Sequence, residues 1–229
     1  HETARHELLT LYQRVGYNTE ALRTAETILE QDPDDLKALR AKAVAQVRLA
    51  KYPEALDVLM RLLALDEFDI EMQLLALSLR RQLDEPASSL IDQAETLQGD
   101  HPDDPRFELL LGHAHRLNDD PENTVKWLTA SAAETPTDET FAFLLIRSLD
   151  QAQLFRDSLS LLERMTEQFD NAVLHDELIR RLWEANRFQE VADRLNDLDE
   201  TEASASVEML VLRAIASSHL GDPDTANEI

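Results

Sequence analysis

Between Ala50 and Asp69 the chain reads AKYPEALDVLMRLLALDEFD, a turn that runs into apolar residues at helical spacing. Ala55, Leu56, Leu59, Leu62 and Leu63 share one stripe while Glu54, Asp57 and Arg61 lie opposite, which predicts an amphipathic helix with one face to bury. The preceding stretch, Leu36 to Leu49, has the same character, so the two make a helical hairpin. The pattern returns every 33 to 35 residues, the mark of a helical repeat array. Seven units begin near Glu2, Leu36, Ile70, Pro105, Glu139, Ala172 and Val207, and the array is expected to fill residues 1–229 as one domain whose last repeat is incomplete. Each unit holds a first helix of about 14 residues, a short turn, a second helix of similar length and an acidic or proline-bearing link.

The inner turns read VGYNTEAL, LAKYPEAL, LDEPASSL, NDDPENTV, AQLFRDSL, ANRFQEVA and LGDPDTA. Each leads to a compact residue: Ala21, Ala55, Ser89, Thr124, Ser158, Val191 or Ala226. A small side chain is needed where two helices approach, because a larger one would force close-packed neighbours apart. In the links, Pro33, Pro102 and Pro136 cannot continue a helix, and the acids beside them favour the start of the next.

These units resemble the tetratricopeptide repeat (TPR) family over essentially the whole chain. The fourth repeat carries the family's leucine-glycine pair as Leu111-Gly112, with Pro136 closing it, and the first carries Leu8, Tyr12, Gly16, Ala21 and Pro33 at matching places. The family's early Trp is missing throughout, Ser89 stands for the expected Ala, and the loop from Leu97 to Pro105 is expected to hold an extra residue. The resemblance implies an all-α, right-handed superhelix of about seven helix-turn-helix hairpins, with the first helices lining its concave face.

Composition agrees with helix: aromatic residues make up 5% of the chain, there are four glycines, and no segment shows the alternation a sheet needs. With no cysteine, disulfides and thiolate chemistry are excluded, and no apolar run reaches the roughly 18 residues of a membrane span. The net charge of −24 repels nucleic acid and anionic membranes, so neither is expected as a partner. A cytoplasmic location is expected, with the periplasm as the alternative.

No GxxxxGK[ST], GxSxG or HExxH occurs, so no cofactor and no hydrolase chemistry is expected. His113 and His115 are two apart on a predicted helix and face different ways, which disfavours a shared metal. His101 lies among Asp100, Asp103 and Asp104, but that run lacks the oxygen spacing and central glycine of a calcium loop.

Charge is divided by helix. The seven first helices hold 14 Lys/Arg and 10 Asp/Glu, the remainder 8 and 36, so the superhelix implied by the resemblance would have an acidic back and a neutral-to-basic groove. In that groove Arg81, His113, Arg116, Arg147 and Arg180 are expected to form a patch beside Phe143 and Trp183, themselves expected at equivalent positions, with the four arginines at equivalent positions of consecutive repeats. Such a cluster suits an acidic peptide or a carboxylate terminus, since guanidinium binds carboxylate bidentately. The other reading is that these arginines neutralise neighbours such as Asp150, Asp176 and Glu177, with Trp183 in the core. The lysine- and asparagine-rich clamp of the family's chaperone-binding members is not reproduced: His6, Thr10, Ala41, Glu71 and Leu75 stand at those places.

The function expected is a non-enzymatic scaffold that holds a protein or peptide segment in its groove. The alternative is the repeat portion of a longer enzyme, for example a glycosyl- or sulfotransferase, since the chain starts without Met and stops inside a second helix. Apolar Met209, Leu210, Val211, Leu212 and Ile215 near the end further suggest self-association there.

Overall fold

The computed structural model describes residues 2–197. Helix α1 (Glu2–Val15) pairs with α2 (Asn18–Leu29), α3 (Leu36–Arg48) with α4 (Tyr52–Leu65), and α5 (Ile70–Gln82) with α6 (Ala87–Asp100). Then α7 (Pro105–Leu117) pairs with α8 (Pro121–Ser131), α9 (Glu139–Gln151) with α10 (Phe155–Gln168), and α11 (Ala172–Glu184) with α12 (Phe188–Asp197). No strand occurs among the described residues, so the described chain is all-α and built of helix-turn-helix hairpins. The hairpin expected near Val207, with Ala226, lies outside them. The described residues form two compact units, one up to residue 134 with α1 to α8 and one from residue 135 with α9 to α12.

Local chemistry sets the helix starts. Asp35, Asp69, Asp104, Asp138 and Asn171 each precede a first helix and accept the backbone N–H of Ala38 (2.8 Å), Met72 (3.2 Å), Arg106 (3.0 Å), Phe141 (3.0 Å) and Val173 (2.9 Å). Such a cap satisfies an amide with no partner in its own helix and stabilises by about 1 kcal/mol. Part of the acidic surplus therefore sits at helix starts.

The ends are equally regular. After each described first helix one residue turns left-handed: Gly16 (φ 81°), Ala50 (58°), Asp84 (64°), Asp119 (54°), Gln153 (61°) and Asn186 (59°). At the second of these turns Ala50 N–H donates to Val47 O (3.0 Å) and Lys51 N–H to Gln46 O (2.8 Å), and the same pair of bonds recurs at the other five. This sharp reversal lays the second helix back on the first.

In unit 1 the core alternates alanine with larger aliphatics, as in the layer of Leu39, Ala43, Ala55, Leu59, Leu62, Met72, Ala76 and Leu79. The compact positions Ala21, Ala55, Thr124, Ser158 and Val191 are buried. Ser89 is half-buried and its hydroxyl donates to Glu85 (2.9 Å). The extra residue expected in the loop from Leu97 to Pro105 is instead helical: α6 continues to Asp100, leaving only residues 101–104 before α7.

Candidate functional site

Within unit 1, residues at matching turns of successive first helices face one another. Ser78 on α5 meets His113 on α7, Oγ to Nε2 at 2.9 Å, and Arg81 Nε donates to Leu117 O at 3.4 Å. The hydrogen bonds fix the imidazole tautomer. Arg116 Nη2 donates to His113 Nδ1 (3.2 Å), which makes Nδ1 the acceptor and puts the proton on Nε2. Nε2 then donates to Ser78 Oγ, whose own proton goes to Leu74 O (2.9 Å). A serine beside a histidine here is a structural relay: the nitrogen facing the hydroxyl has no lone pair with which to act as a base.

The sequence places His113 on the groove surface, but the structure buries it to 7% exposure between α5 and Arg116. Arg116 is half-buried, its Nε is shielded from solvent without a hydrogen-bond partner, and burial pushes the pKa of its guanidinium down. It makes no ion pair with any described residue. Arg81, exposed at the same turn one repeat earlier, makes none either. Several other basic groups are matched, among them Arg40 with Asp69 and Glu71, Arg61 with Asp34, Arg80 with Glu85, Arg106 with Asp104, and Arg187 with Glu163 and Glu190.

The four arginines of the expected ladder separate by register. Arg81 and Arg116 stand in the last turns of their helices, whereas Arg147 and Arg180 lie about a turn earlier in α9 and α11. Phe143 and Arg147 are both exposed on α9 and four residues apart, hence on one face. Phe143 and Trp183 are not equivalent, since Phe143 belongs to the first half of α9 and Trp183 to the last turn of α11. Trp183 is half-buried, edge-on to Phe188 at 4.9 Å between centroids. Arg180 is exposed but already held by Glu177 Oε2 at 2.6 Å.

Sequence reasoning passed over Arg181. Its guanidinium takes both Asp150 oxygens (3.0 and 2.7 Å), donates to Glu177 Oε1 (2.8 Å) and donates to the fully buried Ser158 Oγ (2.5 Å). One side chain thus ties α9, α10 and α11 together. Burial alone would lower its pKa, but the bonds to Asp150 and Glu177 outweigh this and raise it. The available signal was Ser158, a hydroxyl where the repeat pattern wants a small apolar residue.

The other sequence candidates have structural roles. His101 stacks on Phe107 (4.5 Å between centroids), with Phe68 edge-on at 5.0 Å and Glu67 Oε1 at 3.5 Å from Nε2. His115 Nδ1 lies 3.2 Å from Asp120, which also caps α8. Among the described residues no three His, Cys, Asp or Glu side chains gather as metal ligands, and no helix is long and apolar enough to cross a membrane.

No protein-family model and no curated protein sequence matches the chain. Solved structures do. A TPR protein of the thermophile Thermus thermophilus superposes with TM-score 0.54 at 16% identity, covering 80% of this chain and 100% of that one. Its agreement with the recurring hairpins decides the fold. The chain has a tetratricopeptide-like repeat fold. A TPR protein of Parabacteroides merdae (TM-score 0.48, 13% identity, 98% of this chain and 89% of that) and PilF of Pseudomonas aeruginosa (0.48, 14%, 99% and 87%) are more distant in shape. At such identities the likeness concerns the TPR fold alone.

Proposed function

We propose that this TPR-like chain is a non-enzymatic interaction scaffold, and that in unit 1 Arg81 and Arg116 receive an acidic stretch of a protein or peptide partner. One observation carries the reading: in a chain of net charge −24, Arg116 is half-buried with an unsatisfied Nε and no carboxylate partner among the described residues. A half-buried guanidinium without a counter-charge is costly, and although the shielded Nε is out of a partner's reach, a carboxylate at the Nη end would supply that charge through a charge-assisted hydrogen bond. Arg81 supplies a second donor at the same turn. Phe143 and Arg147 offer similar chemistry within unit 2, while Arg180 is already engaged by Glu177.

The test is fluorescence anisotropy with a fluorescein-labelled hexaglutamate peptide. Wild-type protein should bind it with an affinity that falls as salt rises. Arg81→Glu with Arg116→Glu should weaken binding by about 2 kcal/mol, and Arg61→Glu on α4 should leave it unchanged. Equal binding by the double variant and the wild type would overturn the proposal.

A further inference from the structure

Unit 2 contains an open cavity of about 440 Å³ where the end of α9, the start of α10 and the last turns of α11 meet. Its ionisable lining is Asp150, Glu177 and Glu184 against Arg180 and Arg181, one negative charge in surplus. Most of these charges are already matched. Arg181 occupies both oxygens of Asp150, and the two Glu177 oxygens are divided between Arg181 and Arg180. Glu184 is the remainder: it is exposed and makes no ion pair with any described residue. Beside it the lining is apolar, with Leu159 half-buried and Phe155 61% exposed.

We infer that this cavity receives a basic side chain, an arginine or lysine, presented by a partner polypeptide. The aliphatic stem would lie along Leu159 and Phe155, because long basic side chains bury their methylenes while keeping the charged head near water. The head would pair with Glu184 and stack over the Phe155 face, where the ring quadrupole attracts a cation. An acidic occupant fits badly: its carboxylate would face Glu184 while both cavity arginines are already engaged. The volume falls in the range of small-ligand sites, about 300 to 1,000 Å³, and is ample for one side chain. The surface differs from that proposed for the acidic stretch in unit 1, and the two stand or fall separately.

The experiment is NMR titration of the 15N-labelled full chain with acetyl-Gly-Arg-Gly-amide, alongside the same tripeptide carrying citrulline or glutamate in place of arginine. Citrulline keeps the shape and removes the charge. The arginine peptide should give saturable shifts confined to amides around Phe155 and the last two turns of α11, and the citrulline peptide should bind at least about tenfold more weakly. Glu184→Gln and Phe155→Ala alter exposed side chains, so circular dichroism should match wild type, and each should weaken the arginine peptide several-fold. The inference is overturned if citrulline or glutamate binds as well as arginine, if the shifts are absent or lie elsewhere, or if both variants bind like wild type.

Discussion

Gly112 on α7 lies directly against Leu128 on α8: a Cβ at position 112 would stand 2.8 Å from Leu128 Cδ2 and 3.2 Å from the Leu128 backbone N. Leu128 is 1% exposed and cannot swing into solvent, so the helices touch through the absence of a side chain. Gly112→Ala gains about 1 kcal/mol in helix propensity but forces overpacking that costs about 1 to 3 kcal/mol. The net expectation is a loss of about 1 kcal/mol in urea unfolding, and a gain when the same change is made in a Leu128→Ala background. Loss in both backgrounds would show that the contact is not the cause.

Ala50 and Gln153 hold left-handed backbone at φ 58° and 61°, where a Cβ crowds the following carbonyl. Replacing either by glycine should stabilise by about 1 kcal/mol, despite the extra freedom gained by the unfolded chain. Asn186→Gly should give less, since asparagine tolerates this conformation better, and Gly16→Ala should destabilise. Denaturant midpoints for the four variants check the order.

Arg181 joins three helices through Asp150, Glu177 and Ser158. Arg181→Met would leave two partly buried carboxylates and a buried hydroxyl without their shared donor, a loss of about 2 to 3 kcal/mol. Arg181→Lys should recover little of it, because an ammonium cannot reproduce the planar fork that spans both Asp150 oxygens. Full stability of the lysine variant would mean that charge alone, without geometry, holds the junction.

Stability should respond to pH with opposite signs at two glutamates. Hydrogen bonding to Arg80 holds the Glu85 carboxyl below its ordinary range, so its contribution is present above the unfolded value and is lost as pH falls through the folded one. Burial, reinforced by Glu134, raises the Glu108 carboxyl, so its contribution is present at acid pH and is lost as pH rises through the folded value. At about pH 7, Glu85→Gln should therefore destabilise and Glu108→Gln should stabilise; on acidification the Glu108 difference should fade before the ordinary glutamate pKa of about 4.3 is reached, and the Glu85 difference only below it. Urea midpoints across that interval test both signs at once.

The hairpins were legible because each signal is local. An aspartate beside the first turn caps the nearest free amides, a proline stops a helix at its own position, and an apolar stripe sets which face is buried, all within a few residues. The helix starts at Leu36, Ile70, Pro105, Glu139 and Ala172 follow from such signals. Even so, the extra residue before α7 is helical where its surroundings suggest a loop, because nothing local shows how far α6 continues into its link.

The candidate site was less legible, because the state of a long charged side chain depends on what it can reach across helices. In the sequence Arg116, Arg180 and Arg181 look alike. Packing leaves Arg116 half-buried without a carboxylate and brings Asp150 and Ser158 from two other helices to Arg181, whereas Arg180 pairs with Glu177 on its own helix. His113 is decided in the same way, since the approach of α5 and α7 turns a groove position into an interior one. By itself the sequence determined which stretches are helical and which faces are apolar, because backbone hydrogen bonding and helical periodicity act over a few residues. Only the tertiary structure decided which charges remain unmatched, because that depends on distances of a few ångströms between residues about thirty apart along the chain.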